Sequence, residues 1–495
     1  MDSLWETGEI KLAENVWGEG ETYLAKELKN DSRLLKKPLC TNIKVPASIH
    51  NEKYFDFWAK VLKVDLNFQK FLKQGYVIPF ENGNPPPSSM TKNNKSFLKN
   101  KEFGIQEIIR LEKLGCIYRV EKQPKIVLPL SVVYSGKWRL VVDASRHLNP
   151  YLEKRHVKLE TLDDAELQVQ KGDYQAVSDL DSGYWHILLH EVSPPYVGVH
   201  YVDKEGIVHF FQWRVLFLGL SDAVRLFTKV LKPIRAHLHR QGIRHNFYID
   251  DMRVLGDSKN SCEKNNNFAL HVLQSAGWVV KQEKCISPTQ SARYLGQISD
   301  LEKMLYFCPE NKKLKIWEDI TKIISKKFVH VKALASIYGK IVSNRYSLGD
   351  IVRLMSRFGF RDIAAAHSWN CQIPVSEEVI FELNFFKENW SLFDGCPIRP
   401  DRTRVTVKSN LVEVASDASN VGEYIYEVKT GEFAFKRAFT ETEALESSTS
   451  RELMCFEDFY DIYGAKLRGK AVVHYTDSKK CCGYAASGVS NYIFA

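Results

Sequence analysis

No stretch of this 495-residue chain approaches 18 consecutive apolar residues, so a membrane-spanning helix is not expected. The N-terminus, Met1-Asp2-Ser3-Leu4-Trp5-Glu6, has no basic region ahead of an apolar core, which argues against a secretory leader. Ten cysteines are scattered without a CxxC pair, and the adjacent Cys481 and Cys482 lack histidines at finger spacing. Neither a zinc site nor a disulfide framework is indicated. Together these absences predict a protein of the reducing intracellular space, cytoplasmic or nuclear, with no membrane partner. Charge is also far from extreme. Lys and Arg number 69 against 60 Asp and Glu, for a net +9 and a pI near 8.8, an excess compatible with nucleic-acid contact but weak by itself. What is present is apolar material for globular cores, 44% of residues, in a chain long enough for two to four domains.

The most informative run is His245-Asn246-Phe247-Tyr248-Ile249-Asp250-Asp251-Met252-Arg253-Val254-Leu255. Its flanks have strand composition, which predicts a hairpin with Asp250 and Asp251 at the turn. Two adjacent carboxylates repel and are costly to bury, and a hard divalent cation such as Mg²⁺ relieves both problems. An Asp-Asp pair is more often a plain turn, so a third acid and a nucleotide-binding frame are needed before chemistry is inferred.

In chain order, apolar positions Phe57, Val61, Val64, Phe68 and Phe71 predict a packing helix from Phe55 to Lys73. A break at Gly83, Pro85, Pro86 and Pro87 and a surface linker over Ser88–Asn100 follow. A second helix is predicted from Ile105 to Gly115. The run Lys125 to Tyr134, the Ser135-Gly136 turn and Lys137 to Asp143 then read as a hairpin. Alternation puts Lys137 and Arg139 on one face of the returning strand, where two cations could grip a triphosphate. A solvated face is the blander reading of the same pair. Further on, Tyr174 to Asp179 is a strand ending in a third carboxylate, followed by Tyr184.

Lys137 to Asn149, Asp179 to Tyr184, Gly219-Leu220-Ser221 through Phe227, and Tyr248-Ile249-Asp250-Asp251 stand in the order seen in reverse transcriptases, which this chain resembles. Gly277-Trp278, Lys284-Cys285 and Tyr294-Leu295-Gly296 look like two later motifs of the same family. The Asn246 to Asp251 context, Phe227-Thr228-Lys229 and Gly242-Ile243 are most similar to tyrosine-recombinase retroelements of the DIRS type. The resemblance is firm over Ile105 to Asp300.

It implies an α+β right-hand polymerase of fingers, palm and thumb, with Asp179, Asp250 and Asp251 as catalytic acids holding two Mg²⁺ ions for nucleotidyl transfer. Lys137, Arg139, Tyr184 and Lys284 would bind the nucleotide: the cations on its phosphates, Tyr184 beneath the sugar, where a ring excludes a ribose 2′-hydroxyl. The implied partners are an RNA template, a DNA primer, RNA–DNA hybrid and deoxynucleoside triphosphates. An overlapping Asp181-Ser182-Gly183 matches the aspartic-protease triplet, but its flanks lack the apolar strand and second carboxylate such an enzyme needs. The chain departs from the family at Phe217, Leu218 and Val224, where relatives usually carry Pro, Phe or Gln, and Pro. Those departures keep a second class in play, a decayed or domesticated copy that binds nucleic acid as a structural or regulatory protein.

Asn311 to Arg345 holds nine Lys and Arg against two acids, with Leu314, Trp317, Ile320 and Ile324 at helical spacing. A thumb with a basic outer face is expected. Near the end, Asp417 closes a strand, Glu452 opens an apolar-striped helix and Asp477 closes another strand. This pattern, with Thr476-Asp477-Ser478 and Arg451-Glu452-Leu453, looks like ribonuclease H, which implies that Asp417, Glu452 and Asp477 also hold Mg²⁺. The expected division is 1–100 extension and linker, 101–305 fingers and palm, 306–404 thumb and connection, and 405–495 a partial ribonuclease H-like α/β domain. Because Ala495 precedes the family's usual fourth acid, hybrid-RNA cleavage is expected to be weaker than primer extension.

Overall fold

The computed structural model describes residues 45–399, 411–431, 434–467 and 471–481. The expected extension over 1–44, the junction at 405 and the segment from Cys482 to Ala495 lie outside the described residues.

The single helix expected from Phe55 to Lys73 is two elements, a π-turn over Phe57–Val61 and α1 over Leu66–Gln74. Lys63 between them has φ 57°. Asp65 starts α1 by accepting the Phe68 amide at 2.7 Å, a cap that the continuous apolar stripe conceals. Helix α2 follows at Lys101–Leu114. The extended run from Lys125 divides at Pro129. Ile126–Val127 belongs to a five-stranded sheet with Ser89–Met90, Gly198–Val202, Val208–Trp213 and Ile117–Val120. Past the proline, which has no amide to continue that pairing, β1 (Leu130–Ser135) turns through Gly136 and pairs with β2 (Lys137–Val142) as a separate hairpin.

The site is built on an antiparallel sheet of four strands. These are β3 (Tyr174–Asp179), β4 (His245–Tyr248), β5 (Asp251–Gly256) and β6 (Ile286–Thr289), in the order β6-β3-β5-β4. Helix α3 (Ala223–Arg240) packs on β4, and α4 (Lys259–Ser275) packs on β3 and β5. Val177 and Leu255 on the opposite face join a core with Leu162, Ala165, Tyr294 and Tyr306.

Three helices, α5 (Glu310–Ile324), α6 (Val331–Val342) and α7 (Glu377–Phe393), share a second core around Ile320, Leu334, Tyr338, Phe386 and Trp390. Of the stripe expected on α5, Trp317, Ile320 and Ile324 pack into this core beside Ile316 and Ile323, whereas Leu314 is 48% exposed. A third core joins β7 (Leu411–Ala418), β8 (Gly422–Glu427), β9 (Phe435–Ala438), α8 (Ser448–Leu467) and β10 (Ala471–Tyr475). The strand order is β9-β8-β7-β10, with β7 and β10 parallel across the α8 crossover.

Candidate active site

The hairpin expected around the paired acids forms with a two-residue loop of Ile249 and Asp250; Asp251 is already the first residue of β5, paired with Tyr248. Ile249 has φ 53°, a conformation costly for a β-branched residue and retained because both flanking strands fix it. Asp251 therefore stands directly across from Asp179, the last residue of β3. Carboxylate oxygens of Asp179, Asp250 and Asp251 lie within 4.8 Å of one another. Burial, then the charges of Asp250 and Asp179, push the Asp251 carboxyl up to about 6. Burial and the charge of Asp179 likewise raise Asp250. Lys284 forms an ion pair with Asp179, whose hydrogen bond raises the lysine pKa. Three carboxylates against one ammonium leave an excess of negative charge at converging oxygens, a donor set that fits a hard divalent cation.

Tyr184 sits on a short 3₁₀ turn, Gly183–His186, just past β3. Its ring packs on Phe227 of α3 at 5.1 Å, and burial and nearby Asp250 push its hydroxyl up to about 12. Gly183 is required here: a Cβ would come within 2.8 Å of the Phe227 ring, and Asp250 Cβ is 3.6 Å away. The structure thus brings Asp179, Tyr184, Asp250, Asp251 and Lys284 together. Lys137 and Arg139 stand apart from them on the exposed half of β2, and no contact with the acids is present among the described residues. The hairpin root does reach the site's surroundings: Gly219, at φ 118°, lies so close to β2 that a Cβ would come within 2.3 Å of the Val142 carbonyl oxygen. Of the three departures from the family pattern, Phe217 is fully buried and stacks on Trp213 at 5.0 Å, Val224 is partly buried, and Leu218 is 61% exposed.

Four supporting residues escape sequence reasoning. Glu160 accepts the Phe247 amide at 2.8 Å and ion-pairs with Arg235, tying the edge strand β4 to α3. Asn149 clasps the loop at Gly219, donating to its carbonyl at 2.9 Å and accepting the Ser221 amide at 3.0 Å. His186 is fully buried and held neutral, burial pushing it down to about 4. It bridges the Gly183 carbonyl and the Val279 amide, each at 3.0 Å. Arg253, one row below Asp251, is fully buried beneath the acids. It donates to Asn246 Oδ1 and the Ala165 carbonyl and lies over the Tyr294 ring. Only Arg253 carried a signal, a charge in an otherwise apolar strand.

A second acid group forms at the far end of the chain, where oxygens of Asp417, Glu452 and Asp477 also lie within 4.8 Å of one another. Glu452, in the second turn of α8, is buried. It accepts the Ala418 amide at 3.1 Å and the Thr476 hydroxyl at 3.2 Å. Burial, with the charges of Asp477 and Asp417, raises its pKa.

A four-stranded antiparallel sheet backed by two helices, with three acids converging at one end and a helical layer after it, defines a right-hand polymerase. Residues 122–299 match the family model of reverse transcriptase (RNA-dependent DNA polymerase), so the chain carries a reverse transcriptase domain, that of an RNA-directed DNA polymerase. The foamy viral protease-reverse transcriptase bound to double-stranded DNA is similar in structure. Its TM-score is 0.54 at 18% identity over 90% of this chain, with 78% of that chain covered in one structure and 92% in another. The same viral enzyme bound to an RNA/DNA hybrid aligns over 97% of this chain and 61% of its own at 17% identity, again with TM-score 0.54. At this identity the likeness is one of fold. No curated protein matches the sequence significantly. Among the described residues no helix is long and apolar enough to cross a membrane.

Proposed function

We propose that this chain copies RNA into DNA for a mobile retroelement, of the DIRS-type group by its motif contexts, using Asp179, Asp250 and Asp251 as the acids of a two-metal site. The observation that carries this reading is the convergence of those three carboxylates at the end of neighbouring antiparallel strands inside the segment that matches the reverse transcriptase family. Mg²⁺ ions bound there would supply activation of the primer 3′-hydroxyl and neutralisation of charge on the departing pyrophosphate. The protein's own groups position and neutralise. Asp179 and Asp251 face each other from strands locked by six consecutive residue pairs, so their separation is fixed before substrate arrives. Lys284 keeps a cation at the site and is 59% exposed, free to exchange Asp179 for a phosphate oxygen. Tyr184, fixed by Phe227 and Gly183, forms a floor on which a deoxyribose fits and a 2′-hydroxyl collides. Lys137 and Arg139 hold the triphosphate from the fingers.

Asp417, Glu452 and Asp477 are read as a ribonuclease H-like site that cleaves the RNA strand of the hybrid; the supporting observation is their clustering on a sheet crossed by a helix. Residues 101–305 serve as fingers and palm, 306–404 as thumb and connection, and those beyond 405 as the nuclease domain. Its place of work is read as the reducing cytoplasm or nucleus, in keeping with the free thiols of Cys116, Cys262, Cys285, Cys308, Cys371, Cys396 and Cys455. The test is extension of a DNA primer on an RNA template by the purified chain with Mg²⁺ and deoxynucleoside triphosphates. The reading requires extension that stops when the metal is chelated; none under any divalent cation would refute it.

A further inference from the structure

The hairpin β1–β2 has two unlike faces, and only one has so far been given a role. Its root is buried through Leu130, Val132 and Val142, and is tied down by Asn94 to the Ser131 hydroxyl at 2.8 Å and by the Val132 amide to Ser96 at 3.2 Å. From Val133 to Arg139 every residue is exposed. Register pairs Tyr134 with Trp138, Val133 with Arg139 and Ser135 with Lys137. The two aromatics therefore share the face opposite the two cations. Tyr134 is 65% and Trp138 47% exposed, their rings 5.1 Å apart, and Phe103 of α2 extends the row at 6.2 Å from Trp138.

We propose that Tyr134 and Trp138 are a stacking platform for unpaired bases of the RNA template. This rests on the polymerase reading above and adds a strand-specific site to it. Large aromatics held on a projecting ribbon lose nothing by meeting the face of a base, and such stacking is tolerant of sequence because every base has one. Charge selects the occupant. The ribbon from Leu130 to Val142 carries Lys137 and Arg139 and no acid, and neither cation has an ion-pair partner among the described residues. A polyanion complements such a ribbon, whereas an apolar protein partner would leave those cations unsatisfied. Attachment of the root to the Gly219 loop places the ribbon on the same body as the nucleotide floor, so one face can serve the incoming triphosphate and the other the strand it is to be paired with.

The experiment measures equilibrium binding by fluorescence anisotropy, without nucleotide, of a DNA primer annealed to RNA with a short 5′ template overhang, beside a blunt hybrid of the same duplex. The parent binds the overhang form more tightly. Trp138→Ala weakens that form about five- to tenfold, the loss of roughly one stacked base, and leaves blunt binding unchanged; Tyr134→Ala acts in the same direction and Trp138→Phe restores most of the affinity. A 2-aminopurine at the first unpaired template position is quenched by the parent and not by Trp138→Ala. Overhang affinity unchanged in both alanine variants overturns the platform, as does a parent that binds both forms equally, while extension by that parent leaves the polymerase reading standing. Failure of the parent to bind either form overturns both.

Discussion

Replacing Asp251 by Asn should make the metal-free protein more stable while removing its response to Mg²⁺. In the fold, Asp251 is partly buried, faces Asp179 across the sheet and adjoins Asp250, so its pKa rises from 3.8 to about 6. A raised pKa means that the folded state favours the neutral carboxyl. Its contribution to stability is complete below the unfolded value and is lost as pH climbs through about 6, so at pH ~7.5 the native state carries the whole penalty. A rise from 3.8 to about 6 corresponds to at most about 3 kcal/mol. Partial exposure and screening reduce this to about 1 kcal/mol, a rise in melting temperature of about 2–4 °C for a domain of this kind. Thermal denaturation in EDTA at pH ~7.5 measures it, and the gain should shrink as pH falls toward ~5. Added Mg²⁺ should reverse the order, stabilising the parent by mass action and the variant little. A variant that melts below the parent in EDTA, or that gains as much from Mg²⁺, would refute the reasoning.

Tyr184→Ala should raise ribonucleotide incorporation relative to deoxyribonucleotide, read as a ratio of kcat/KM values; unchanged selectivity would show that another group judges the sugar. Glu160→Ala should lower kcat severalfold at nearly constant template affinity, because the edge strand under Tyr248 loses its amide acceptor, with Glu160→Gln recovering most of the rate. Equal defects in both variants would mean that the charge opposite Arg235 matters and the acceptor does not. Template-primer affinity should fall steeply between about 50 and 200 mM salt, as expected when several phosphates are neutralised. Lys313, Lys322, Lys340 and Arg345, engaged with acids of the chain itself, should contribute less to that slope than unpaired cations do; a flat plot would argue against backbone binding.

The acids were legible because their chemistry confines them to short motifs. Tyr248 to Asp251 is local in sequence, and its strand-like flanks announce the hairpin. Asp179 could be placed because a strand ending in a carboxylate is rare in an apolar run. Glu160 and Asn149 act on backbone groups 87 and 72 residues away, and no local pattern marks a side chain whose partner is a distant amide. The break at Lys63 was hidden for a related reason: apolar spacing continued through it while the Asp65 cap specified a new helix start. In α5 the expected stripe is legible at Trp317, Ile320 and Ile324, and packing against α6 and α7 adds Ile316 and Ile323 while leaving Leu314 exposed. Lys284, given to the phosphates by resemblance, forms an ion pair with Asp179 in the absence of substrate, a contact that spans 105 residues and has no local signal.

Asp179 and Asp251 on neighbouring strands, with Asp250 in the adjoining loop, are proposed to perform RNA-templated nucleotidyl transfer. Single-turnover extension of a DNA primer on an RNA template tests it most directly, run on the parent and on Asp250→Asn with template-primer affinity measured on the same preparations. Loss of a ligand to the metal should slow extension by more than about 100-fold, beyond what removal of an outer-shell partner costs, and leave affinity within about twofold because the grip on nucleic acid is spread over many cations. Extension by Asp250→Asn at near the parent rate would contradict the account.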